Sequence, residues 1–215
     1  LVGLAGAACS TDELLQVENP DIIDPGALDN PQGVGALYAG ALSEFTFQMN
    51  NGFGLALVSG LFTDESMHAS TPPAVREWDL RNVLSTNTST PALFLNLQRA
   101  RARTEDAAPR VAAILGNDAR VGELWAIAGW TYVLFAEHYC SGVPISNADP
   151  LEYGGPLTTT QLLDRALERL NSAAGASAGN ARVANLVAVL RGRALLNRGD
   201  HAQAAQAVAA VPTDY

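Results

Sequence analysis

Lysine is absent from this 215-residue chain, whose 13 basic residues are all arginine, set against 22 acidic ones for a net charge of −9. A phosphate backbone would be repelled by that balance, which excludes nucleic acid as a partner. Histidine and cysteine are also scarce, at three and two, and no Cys-x-x-Cys pair occurs, so no metal centre or cofactor is expected. Long apolar runs are missing too. The run of thirteen uncharged residues from Leu124 to Ala136 is well short of the ~20 that a bilayer-spanning helix needs. What is present is a chain 48% hydrophobic and 16% charged, too apolar to remain disordered and long enough to bury a core.

The N-terminal stretch LVGLAGAACSTDELL pairs small and apolar residues up to Cys9 with an abrupt change to Ser10, Thr11, Asp12 and Glu13. It resembles the lipobox of a bacterial lipoprotein signal peptide, although Gly6 stands where leucine is commonest. On that resemblance Cys9 is the lipidated first residue of the mature protein, and the chain is anchored in the outer membrane through its lipid. The acidic residues after Cys9 point to the cell surface. Residues 1–9 are then a signal-peptide remnant with its lipobox, 10–32 an extended segment, and 33–215 a helical domain.

Beyond this segment the chain reads as helices punctuated by proline and glycine. Asn30-Pro31 supplies a cap and a first-turn proline. Val34, Leu37, Tyr38, Ala41, Leu42, Phe45 and Met49 then recur at helical spacing. Residues 50–62 are broken by glycine and ambiguous, and 70–90, with Pro72-Pro73 and a Ser/Thr/Asn run, read as a long loop. Thr90-Pro91 predicts a helix to about Thr104, with Arg99, Arg101 and Arg103 on a solvated face, and a further helix over 110–115. After Asn117-Asp118, the spacing of Val121, Leu124, Trp125, Ala128, Tyr132, Phe135, Ala136 and Tyr139 predicts an amphipathic core helix. Thr158 and Gln161 form a candidate capping box ahead of a stripe that includes Leu162, Ala166 and Leu170. A final hairpin spans Val183 to Arg198 and His201 to Ala210, broken by Gly199-Asp200 and stopped by Pro212.

Trp125-Ala-Ile-Ala128-Gly129-Trp-Thr-Tyr132 fits the W-x2-L-G-x2-Y pattern of a tetratricopeptide first helix, with Ala128 in place of leucine. Gly129 lets a neighbouring helix approach its backbone while Trp125 and Tyr132 fill the flanks. Gly192, Gly199 and Ala204 repeat that logic in the last hairpin. The ordered combination of a lipoprotein start, NPDIIDPGALDNPQGVGALYAGAL, a Trp125 helix ending in EHYCSGVPIS, GGPLTTTQLLDRALERL and RGRALLNRGDHAQAAQAVAAVP resembles the SusD/RagB family of outer-membrane nutrient-binding lipoproteins. The resemblance implies an all-α fold of tetratricopeptide-like hairpins in a right-handed superhelix with long irregular loops. It also implies a non-catalytic protein that binds a glycan, peptide or other nutrient and partners a TonB-dependent outer-membrane transporter. No ligand-binding residue carries over by motif. A helical-repeat scaffold for a membrane-associated assembly is the alternative.

Few residues suggest chemistry. Cys140 with His138 could be a nucleophile and base, but residues two apart on a helix point in different directions. A packed thiol, or one that pairs outside this chain, fits better. Asp64 or Glu65 with His68 could hold a cation if they share a helix face, though a solvated face is the plainer reading. Trp78 could stack on the apolar face of a sugar ring, or could anchor the core. The run from Ser85 to Thr90 could bind hydroxyls, yet is ordinary loop material.

Overall fold

The structure is a computed structural model that describes residues 25–69, 71–148, 151–177 and 179–215. It is all-α apart from four two-residue strands. A 3-10 turn, Pro25–Leu28, precedes helices α1 (Val34–Asn50), α2 (Leu55–Phe62), α3 (Pro73–Asp79), α4 (Ser89–Leu115) and α5 (Ala119–His138). Strands β1 (Val143–Pro144), β2 (Asn147–Ala148), β3 (Leu151–Glu152) and β4 (Pro156–Leu157) follow, then α6 (Thr159–Ala176), α7 (Ala181–Arg198) and α8 (His201–Val208). Short turns join α4 to α5, α6 to α7 and α7 to α8, which makes these neighbours antiparallel hairpins.

Local chemistry sets most of the boundaries. The Asn30 side chain accepts from the backbone N–H groups of Gln32 and Gly33 at 3.0 and 2.9 Å, so the expected cap is present one turn ahead of α1. Thr158 and Gln161 form the reciprocal capping box of α6. Gly199 ends α7 with φ 86°, a left-handed conformation that glycine adopts without strain.

One ambiguity is resolved and two expectations are corrected. Residues 50–62 contain a helix, α2, because Gly54 turns the chain tightly: a Cβ there would meet the Met49 carbonyl oxygen at 2.5 Å. The supposed loop 70–90 contains α3, where Pro73 occupies the first helical turn and needs no N–H partner. Finally, the helix expected to end near Thr104 runs to Leu115 with Pro109 inside it. Pro109 lies on the exposed face, where solvent can take the hydrogen bond that its ring denies the preceding turn.

Helix α5 is the hub, packing on α4, α6 and α7. Its seam with α6 is built from absent side chains. A Cβ on Gly129 would come within 2.8 Å of Leu170 Cγ and 3.1 Å of the Ala166 carbonyl oxygen. One on Gly122 would stand 3.1 Å from both the Ala173 oxygen and the Ser177 nitrogen. Gly122 and Gly129 are seven residues apart, as are Ala166 and Ala173, so two turns of each helix keep the backbones in register. Gly192 does the same for α7 and α8: its Cβ would reach Val208 Cγ1 at 2.6 Å. Around the seam Tyr132, Phe135, Leu162, Leu170, Val183 and Leu190 form the main core. A second core joins Val34, Leu37 and Ala41 of α1 to Ala107, Val111, Val121 and Leu124, and a third surrounds Trp78 with Leu61, Val75 and Leu93.

Candidate functional site: a polar chamber under the 140–157 insertion

After α5 the chain leaves the helical layer at Tyr139 and returns at Thr158. The insertion between them is pinned by antiparallel pairing of β1 with β4 and of β2 with β3. Gly142 donates its N–H to the Leu157 carbonyl at 2.8 Å with φ 105°. Gly154 passes so close to Ile145 that a Cβ would sit 1.7 Å from its carbonyl oxygen, so no larger residue fits without moving the backbone.

Helix α4 holds this insertion with two side chains. Gln98 Nε2 donates to the Pro144 carbonyl at 2.8 Å, and Arg101 Nη2 donates to the Ser146 carbonyl at 2.5 Å. Arg101 is only 3% exposed, which corrects the expectation of a solvated arginine face: of that run, Arg101 turns inward. Burial of a guanidinium demands compensation. Arg101 obtains it from Gln98 Oε1 at 3.1 Å and Glu105 Oε2 at 2.5 Å.

Glu105 is the centre of the network. Its Oε1 accepts from Arg169 Nε of α6 at 2.6 Å and from the Tyr132 hydroxyl of α5 at 3.0 Å. One carboxylate therefore ties together α4, α5 and α6, and through Arg101 the insertion. The Arg169 guanidinium also lies over the Trp125 ring, 5.5 Å from its centroid. Burial works against the Arg169 charge, but its hydrogen bond and attraction to Glu105 outweigh that and raise its pKa. Burial also pushes the Tyr132 phenol up, reinforced by the Glu105 charge. A cavity of about 250 Å³ opens beside this network, lined by Glu105, Tyr132, Arg165 and Arg169 from the helices and by Ile145, Asn147, Gly154, Gly155 and Leu157 from the insertion.

A second polar cluster links α1, α5 and α7. Glu123, 8% exposed, accepts from the Tyr38 hydroxyl and from both terminal amino groups of Arg182 at 2.8 and 2.7 Å. Burial alone would raise the Glu123 pKa, and the hydrogen bonds from Arg182 and Tyr38 more than reverse it, leaving it lowered. Tyr38 is pushed up to about 12 by burial and by the same carboxylate. The cluster acts as a cross-brace between α1, α5 and α7.

The residues singled out by sequence fare differently. Trp78 is 1% exposed, packed in the third core, with its indole N–H donating to Thr90 Oγ1 at 3.3 Å. Its ring presents no face to a sugar, which corrects the ligand-binding assignment in favour of a core anchor. Within the Ser85–Thr90 run Asn87 is buried and the residues around it are exposed or half-buried. Asn87 accepts from the N–H groups of Ser89 and Thr90 and donates to the Ala74 carbonyl and Glu77 Oε2, fastening α3 to the start of α4. Asp64 and His68 do not share a helix face, because α2 stops at Phe62. Asp64 instead pairs with Arg81 at 2.8 Å, and Asp79 accepts from the His68 backbone N–H at 3.3 Å. Among the described residues no group of three or more His, Cys, Asp or Glu side chains could hold a metal.

His138 Nδ1 bonds the Leu134 carbonyl at 3.0 Å within its own helix, while Cys140 is exposed beyond the helix end. The two do not form a nucleophile and base, and Cys140 is not the packed thiol expected. Tyr139 between them is the structural residue: it stacks edge-on with Phe94 at 5.3 Å, and burial pushes its phenol up to about 12. Cys9, the expected lipidation site, lies outside the described residues.

The chamber residues Arg101, Glu105, Arg165 and Arg169 escaped the sequence reading. One signal was available: Arg101 and Glu105 are four apart on one helix and Arg165 and Arg169 four apart on another, both at spacing that places charges on one face. No helix of the described residues is long and apolar enough to cross a membrane. No family model, curated protein or solved structure matches this chain.

Proposed function

We propose that this protein is a non-catalytic binding protein of the SusD/RagB type, lipid-anchored through Cys9 at the outer membrane, which takes a glycan or other nutrient and delivers it to a TonB-dependent transporter. The observation that supports a binding role best is the chamber of about 250 Å³ formed where the 140–157 insertion closes over α4, α5 and α6. Its carboxylate is satisfied, since Glu105 accepts three hydrogen bonds, and no nucleophile stands beside a base among the residues that line it. Such a preorganised polar wall suits holding a ligand better than transforming one. The tetratricopeptide-like reading of the helices is supported by the glycine contacts of Gly129 with α6 and of Gly192 with α8.

The test is purification from detergent-solubilised membranes with palmitate labelling. Wild type is expected to carry label and to co-purify with a TonB-dependent barrel, and Cys9→Ser to lose both. Unlabelled protein, or labelled protein in a complex without such a barrel, contradicts the reading. The second outcome would favour the scaffold alternative, which has its own support: Phe47, Phe53, Phe62, Leu80 and Leu84 are all exposed between α1 and α4, apolar surface of the kind that docks protein.

A further inference from the structure

The chamber is richer in positive charge than anything else about this acidic chain leads one to expect. Arg101 and Arg169 both bond one carboxylate, Glu105, and Arg165 lines the same cavity as Glu105 and Arg169, in a protein whose net charge is −9. Arg101 is spent on structure, since its Nε and both terminal amino groups are bonded to Gln98, Glu105 and Ser146. Arg169 is not. It gives Glu105 only its Nε, and among the described residues its two terminal amino groups make no hydrogen bond. Its orientation is nonetheless fixed, by Glu105 on one side and the Trp125 ring beneath.

Arg165, one turn earlier on α6, lines the same cavity and is half exposed. It spends a single Nη1 on Glu168 at 3.2 Å, an exposed pair that is worth little and easily exchanged. Two arginines on one helix face therefore present unspent N–H donors to one cavity, the first locked in place and the second adjustable. A planar guanidinium fork matches the paired oxygens of a carboxylate, sulfate or phosphate, and does so most strongly where water is partly excluded. At about 250 Å³ the cavity is below the roughly 300–1,000 Å³ of drug-sized sites, so it suits one ring or one charged group and not an oligomer.

We infer that this cavity is an oxyanion site, in which Arg165 and Arg169 grip the carboxylate or other oxyanion of a small ligand while the insertion backbone at Gly154 and Gly155 closes over it. The inference rests on the binding role proposed above and narrows it: the nutrient, or the part of it recognised here, is acidic. An acidic sugar fits both statements, its carboxylate on the arginines and its ring against Ile145 and Leu157.

Isothermal titration of the full chain with glucuronate, glucose and sodium sulfate tests this. Glucuronate is expected to bind, sulfate to displace it, and glucose to give no heat at the same concentrations. Arg165→Gln, at a half-exposed position outside the core, is expected to fold normally and to weaken glucuronate about tenfold, the loss of one charge-assisted contact. Arg169→Lys, which keeps the charge on Glu105 but loses the fork, is expected to weaken it at least as much. Glucose binding as tightly as glucuronate, indifference to sulfate, or an unchanged affinity in Arg165→Gln would overturn the inference. Protein that co-purifies with the transporter yet binds no anion would overturn it while leaving the proposed function in place, so the two fail separately.

Discussion

Helix α6 has two working faces that obey opposite rules. Toward α5 it offers Ala166, Leu170 and Ala173 to Gly122 and Gly129, and the contact is close because side chains are missing. Toward the insertion it offers Arg165 and Arg169, among the longest side chains available, to a cavity and a shared carboxylate. The first face is dry and gains from backbone proximity and dispersion. The second is polar and holds only if every charge is compensated. One leaves no room for added volume, and the other depends on its shared carboxylate.

That contrast can be broken most violently at Glu105. Glu105→Ala strands the buried Arg101 and removes the partner of Arg169, and is expected to cost about 3–5 kcal/mol in urea unfolding. A smaller loss would mean that water already stabilises these guanidinium groups. Next comes Gly129→Val, which adds volume against Leu170 and the Ala166 carbonyl and is expected to cost about 1–3 kcal/mol. If the midpoint instead rose, the gain in helix propensity would exceed the packing strain and the seam would be loose.

Tyr132→Phe should cost only about 1 kcal/mol, because Glu105 keeps both arginines when it loses the phenol. Smallest is the pH effect of the other cluster. Glu123 is more acidic folded than the ordinary 4.5. Its contribution to stability is therefore complete above that value and is lost as pH falls below it toward the lowered folded pKa. Asp118, held down to about 2 chiefly by its hydrogen bonds with Arg120, acts in the same sense between 3.8 and that value. Urea midpoints between pH 6 and 2.5 should fall less steeply in Glu123→Gln than in wild type. Identical slopes would remove Glu123 from the acid response.

The two faces also differ in how far the sequence reveals them. Gly129, Gly192 and Gly199 were legible because a glycine amid helix-forming residues has few reasons to be there, and the Trp125 and Tyr132 spacing showed which side it served. The capping box of α6 was legible because its two residues are three apart. By contrast, Arg101 reads as solvent-facing, since its neighbours Arg99 and Arg103 share its composition and its decisive partner, the Ser146 carbonyl, lies 45 residues away. The same holds for Arg169 and Glu105, 64 residues apart. Trp78 could be read either as anchor or as ligand platform, and only the surrounding Leu61, Val75 and Leu93 decide it. Pro72-Pro73 misled at α3, and Pro109 does not break α4, because the effect of proline depends on whether the missing N–H falls in a first turn or on a solvated face.

Paired measurement of stability and affinity on the two faces of α6 tests this account most directly. Gly122→Val alters the dry seam farther along α6 from the chamber, and Arg165→Gln alters the chamber alone. Urea midpoint and glucuronate affinity measured on both should cross: the first variant loses stability with its affinity kept within about twofold, whereas the second keeps its midpoint within about 0.5 kcal/mol and loses affinity about tenfold. If both quantities fall together in both variants, α6 does not separate holding the fold from holding a ligand.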